Sequence, residues 1–172
     1  MNPKLDFIFS RRSVRQYADK EVSEHMATDL VKAAMAAPSA CATDPWHFIV
    51  IRDRNTLQKL ADGLPNGKML ASAGLGIVVC GDLSKAHDQK ESYMLQDCSA
   101  AIENILLAAT ALGLGACWLG AHPRSDRIIH LRMVLGIPNE ITPVSVISAG
   151  WPASTPHPRT RYTEDAVHKE KW

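Results

Sequence analysis

Two rhythms of apolar and polar positions divide the chain. In HFIVIRD (47–53), GLGIVVCGD (74–82), ACWLGA (116–121) and TPVSVISAGW (142–151), apolar or β-branched residues run together over short stretches bounded by turn formers, which predicts four strands. The second is apolar almost throughout, so it is expected to be buried on both faces. Between them the spacing becomes helical. Leu30, Ala33, Ala34 and Ala37 mark one face of a helix that Ser23 can cap and Pro38 ends, with Glu24 in its first turn. Shorter helices are predicted over 4–9, from a cap at Asn55 toward Leu64, and from a cap at Ser125 to Leu135, with PNG (65–67) as a turn. The longest helix, 92–112, ends at Gly113 and keeps almost no polar face, so it requires cover all round.

The last 21 residues, PASTPHPRTRYTEDAVHKEKW, cannot build a core, yet they end on Trp172. This arm and the apolar helix each call for a surface beyond one chain, which points to a homodimer with exchanged arms. The alternative is an arm packed on its own subunit.

Composition narrows the functional classes. A chain of 172 residues with 46% hydrophobic content suits one domain, 1–172, with 151–172 as a C-terminal arm. A net charge of +1 gives no global attraction for nucleic acid or a membrane surface, so any anion site must be local. The longest apolar region carries Glu103 and Asn104 and is too short for a span, and the first residues lack a signal-peptide pattern, so a cytoplasmic protein is expected. Cys41, Cys80, Cys98 and Cys117 have neither zinc nor disulfide spacing, and no metal site is expected. The last three read as core residues. Cys41 lies in a loop of small residues without a recognisable histidine partner, and His122 follows a strand end as a lone candidate proton donor.

Against that neutral background SRRSVRQY (10–17) places Arg11, Arg12 and Arg15 within five positions. Arg11 and Arg15 can converge on one anion with the Ser13 hydroxyl, because the planar guanidinium fork suits a terminal phosphate or a carbonyl-rich ring edge. Arg159 and Arg161 can add a second pair if the arm folds back. APSACATDPWHF (37–48) supplies a loop of small residues between prolines, over which a flat ligand can lie close to backbone. In GLGACWLGAHP (113–123), Gly120 and Ala121 end a strand with backbone N–H groups open to a ligand. A solvated arginine loop and ordinary turns remain the alternatives. No P-loop, HExxH, GxSxG or EF-hand motif is present, and the glycine pairs lack the third glycine of a dinucleotide fingerprint.

In order and spacing, RRSVRQY, APSACATDPWHFIV, QDCSAAIENILLAATALGLGACWLGAHP and AGWPASTPHPRTRY…W resemble the FMN-dependent nitroreductase family over nearly the whole chain. The resemblance implies an α+β, three-layer fold: a mixed, mainly antiparallel four-stranded sheet flanked by helices, with the arm exchanged in a dimer. It implies FMN at each subunit interface, NADH or NADPH as donor, and a small-molecule electron acceptor such as a nitroaromatic or quinone. Arg11, Ser13, Arg159 and Arg161, joined by Arg12, would grip the phosphate, and Arg15 would reach the pyrimidine edge of the flavin. The backbone at Gly120 and Ala121 would lie at N5. Pro38, Ser39 and Ala40 would cover the ring from the other subunit, and Asn66 and Lys68 would approach its edge.

Two positions depart from that pattern: Ala42 stands where asparagine is usual and Asp44 where glutamine is usual. The segment 82–92 is also too short for the helical excursion of larger members, so an open pocket is expected. No catalytic side chain is required, since the flavin carries the reaction. A non-catalytic FMN storage or sensor protein, oxygen-dependent flavin chemistry and a purely structural interaction protein are the competing readings.

Overall fold

The computed structural model describes residues 2–154 and 157–172; the part of the arm at 155–156 lies outside the described residues. Nine elements follow in chain order: α1 (Asp6–Ser10), α2 (Glu24–Met35), β1 (Trp46–Ile51), α3 (Arg54–Gly63), β2 (Leu75–Asp82), α4 (Glu91–Ala111), β3 (Gly115–Gly120), α5 (Ser125–Leu135) and β4 (Ile141–Gly150). The strands form one sheet in the order β1-β2-β4-β3, and every neighbouring pair is antiparallel. The parallel component is a single bridge between Ser13 and Ala116.

Alternation along the strands creates the layers. Leu75, Ile77, Val79, Ala116, Ile147 and Ala149 join one core with α2 and α4. Val78, Cys80, Cys117, Leu119 and Val146 turn to the opposite core, under α3 and α5. A register shift at Val79/Cys80 changes the phase against β4, so Val144 and Val146, two residues apart, enter different cores. Every residue of β2 before Asp82 is buried, as expected for the most apolar strand.

Local chemistry corrects several expected boundaries. Asp53, rather than Asn55, caps α3 by accepting the Thr56 N–H at 2.7 Å, so β1 stops at Ile51 and Asp53 serves the helix. At α5, Arg124 takes the cap position without a side-chain bond, and Ser125 is the first helical residue. Ser23 caps α2 as expected, accepting from Met26 N. The predicted helix over 4–9 divides into a 3₁₀ turn at Pro3–Leu5 and α1. The longest helix is not enclosed: Ile102, Ile105 and Ala109 are buried, while Leu95, Ala100, Leu107 and Ala108 remain partly open. Among the described residues no helix is long and apolar enough to cross a membrane, and no cluster of His, Cys, Asp or Glu is arranged to hold a metal.

From residue 157 on the arm is exposed, with a 3₁₀ turn at Glu164–Ala166 as its one regular element among the described residues. Arg159 N donates to Phe9 O at 3.2 Å, which returns the arm to the end of α1. Beyond it Tyr162, Val167 and Trp172 are exposed, Trp172 completely, with His168 tilted against the Trp172 ring at 4.2 Å.

Candidate functional site

The arginine segment is clamped against the sheet by its own backbone and by one phenol. Val14 N donates to Ala116 O at 3.0 Å, and Ala18 N to Trp151 O at 2.8 Å. The Tyr17 hydroxyl donates to Val14 O at 2.8 Å and shares a 2.8 Å bond with Ser148 Oγ. Burial pushes the Tyr17 phenol well above its ordinary pKa, so it stays protonated as that donor. Gly115 makes the close approach possible: a Cβ there would stand 2.6 Å from Val14 Cβ.

Thus anchored, Arg15 lines two cavities. The larger, about 740 Å³, lies between the turn at Pro65 to Met69, the end of β3 and the first turn of α5; Arg15, Asn66, Lys68, Trp118, Gly120 and Arg127 border it. Buried Met69 and Leu70 hold the turn in the core while Asn66 and Lys68 face the cavity. A Cβ placed on Gly120 would meet no atom within 4 Å, so this wall is bare backbone with open space before it. The second cleft, about 430 Å³, is lined by Arg12, Ser13, Arg15, Gln16, Ser154 and His157.

Each expected site residue has a definite place. Arg15, Asn66, Lys68 and Gly120 meet at the larger cavity, and Arg12 and Ser13 meet Arg15 at the cleft. Arg11 borders neither cavity; its Nε lies 3.5 Å from Glu103 Oε1 on α4, and of the first two arginines it is Arg12 that lines the cleft. Ala121 is buried and its N–H donates to Val144 O at 3.0 Å, so of that pair Gly120 alone borders the cavity. Arg159 and Arg161 are exposed on the arm and line neither cavity.

Pro38, Ser39 and Ala40 also lie away from these cavities in their own chain. Their loop closes on itself: Ser39 Oγ donates to Asp44 Oδ1, Asp44 N returns a 3.0 Å bond to Ser39 Oγ, and Ala40 N donates to buried Asp97 Oδ1 at 3.0 Å. Cys41, Ala42 and Asp44 all take left-handed φ values of 53°, 53° and 48°, a concentration of strain in one short loop. His87 Nε2 approaches Cys41 Sγ at 3.9 Å, a neighbour the sequence did not disclose. His122 pairs with Glu91 at 3.2 Å and takes no part in the cavities.

Arg127 was not anticipated. Its Nη1 donates to Gly120 O at 2.7 Å, bracing the bare strand end, while its Nε is buried without a partner. The available signal was its position as the third residue of a helix, where the dipole disfavours a cation unless another contact holds it.

The cavities provide cations, hydroxyl and amide groups, a bare backbone wall and an indole, a donor set for a flat, electron-poor ring carrying an anionic tail. Similar proteins share this arrangement of elements. Residues 8–64 and 62–151 match the model of the nitroreductase family. A protein of Archaeoglobus fulgidus with the provisional name NADH dehydrogenase/NAD(P)H nitroreductase is 45% identical over all of both chains. A crystal structure from Parabacteroides distasonis, provisionally named in the same way, superposes with a TM-score of 0.93 at 40% identity, covering 100% of each chain. A provisional nitroreductase from Desulfovibrio desulfuricans, solved in complex with FMN, gives a TM-score of 0.85 at 32% identity, covering 100% of this chain and 99% of that one.

Proposed function

The chain belongs to the nitroreductase family, and from that premise we propose that it is an FMN-dependent oxidoreductase that moves two electrons from NADH or NADPH to an electrophilic small molecule, of the nitroaromatic or quinone class. The observation that carries this reading is the meeting of two cavities at Arg15, one with a bare wall for a planar ring and one basic and hydroxyl-lined for a phosphate.

FMN, when bound, would supply two-electron redox chemistry between a dihydronicotinamide and the acceptor. The residues fit this group. Arg12 and Ser13 would hold its phosphate by charge-assisted hydrogen bonds, and Arg159 and Arg161 would join them from the arm. Arg15 would serve the pyrimidine edge, where a cation favours the extra negative charge of the reduced ring. Asn66 and Lys68 would orient the opposite side, and the absence of a side chain at Gly120 admits the ring against backbone. Arg11 lies 3.5 Å from Glu103 and would join that set only by exchanging this partner for the phosphate.

Two copies complete the site. The partly open stripe of α4 and the exposed arm supply surfaces for a second subunit, whose Pro38–Ala40 loop would cover the ring, since this loop does not reach the cavity of its own chain. The donor and acceptor would then use the cavity in turn. Initial rates of NADH and NADPH oxidation, measured against a nitroaromatic and a quinone in FMN-reconstituted protein, test this reading. Parallel reciprocal plots that vanish when flavin is withheld are expected; no oxidation of either donor would reject it.

A further inference from the structure

The larger cavity holds more positive charge than the flavin reading uses. Arg15, Lys68 and Arg127 line it, and no carboxylate does among the described residues. Arg15 and Lys68 are assigned to the flavin above; Arg127 is left over. One of its five N–H donors is committed to Gly120 O, and its ion pairs include no acid among the described residues. The buried, partnerless Nε shows that the guanidinium sits partly desolvated. A cation so placed attracts an anion more strongly than a fully hydrated one, because less water must be displaced and the local dielectric is lower.

From this geometry we infer that Arg127 makes the exchange face of the cavity selective for ligands carrying an anionic group, a carboxylate or phosphate, next to their reacting ring. This rests on the flavin reading of the same cavity. Trp118 borders that space and offers an apolar flank for the ring while Arg127 engages the charge. The anion has two possible sources, the pyrophosphate of a nicotinamide dinucleotide and an acid group on the electron acceptor, and both present the same chemistry to a guanidinium.

The test compares wild type, Arg127→Gln and Arg127→Lys, each assayed for bound flavin. Calorimetry on the oxidised holoprotein measures 4-nitrobenzoate against neutral 4-nitrobenzamide, without turnover. Kinetics then compare kcat/KM for that pair and for NADH against 1-benzyl-1,4-dihydronicotinamide, a donor without phosphates. In Arg127→Gln the charged-to-neutral ratio should fall about tenfold or more for at least one pair, the expected scale of one charge-assisted hydrogen bond, and lysine should recover part of it. The pair that responds identifies the source of the anion. Equal losses for charged and neutral members, or no calorimetric preference for 4-nitrobenzoate with no shift in the donor ratio, would overturn the inference and leave Arg127 as a brace for Gly120. The flavin assay separates this outcome from failure of the flavin reading: protein that retains flavin but shows no anion preference overturns the inference alone, whereas protein that retains no flavin overturns both.

Discussion

Arg15 and Arg11 lie four residues apart and both approach the Cys117 thiol, yet only Arg15 reaches the cavities, which makes their contrast informative. Arg15 borders both cavities, whereas Arg11 is paired with Glu103. Arg15→Ala should weaken FMN binding about tenfold or more, as loss of about 1.5–3 kcal/mol of charge-assisted bonding implies, while Arg11→Ala should weaken it far less; fluorescence titration with FMN measures both. Ala42 is a second residue whose meaning comes from backbone conformation. It holds φ at 53°, where asparagine is better tolerated than alanine, so Ala42→Asn should raise stability by about 0.5–1 kcal/mol in urea unfolding. The buried thiols set an alkaline limit: loss of hydration pushes Cys80 and Cys98 up to about 12 from an ordinary value of 9.0. Folding favours their protonated forms, so their contribution is full below about pH 9 and is lost as pH rises toward about 12; thermal melts across that window should show the decline, and Cys80→Ala should shallow it. Arg15 and Gly120 were candidates from their own motifs and Asn66 and Lys68 from the family resemblance, and all four border the larger cavity. Arg127 was not a candidate, because only the packing of α5 beside the end of β3 brings it to Gly120.

The strands and main helices were legible wherever burial dictated residue type. β2 reads as apolar because both of its faces are covered, and Ser23 announces α2 because its hydroxyl satisfies an open N–H. Element ends were harder to read where neighbouring side chains compete for one role. Asp53 and Asn55 both have capping chemistry, and the structure uses the aspartate, which shortens β1. At the end of β3 the sequence suggested two open backbone groups, but Val144 takes the Ala121 N–H, a pairing set by strand register that local sequence does not reveal. The open wall at Gly120 gives a clean test. Gly120→Ala should leave thermal stability nearly unchanged, since its Cβ meets nothing, while lowering FMN affinity by filling space the ring needs. Gly150→Ala should instead destabilise the fold, because its Cβ would fall 2.9 Å from Gly74 N.

For the whole molecule, the apolar helix and the arm raised one question, what covers them, and the single chain leaves both partly open. In the proposed dimer that cover would come from contacts between chains, to which hydrophobic periodicity along one chain is blind. Removal of residues 163–172 keeps Arg159 and Arg161 but deletes Val167 and Trp172, so the proposed dimer predicts weaker self-association in sedimentation, with flavin lost in proportion to dissociation. The most direct measurement is the visible spectrum of the protein reconstituted with FMN and freed of excess flavin, followed by anaerobic titration with NADH and then NADPH. Retained flavin bands that bleach with one or both donors are predicted. Failure to retain any flavin would contradict the proposed function, because the two cavities joined at Arg15 would then serve another ligand.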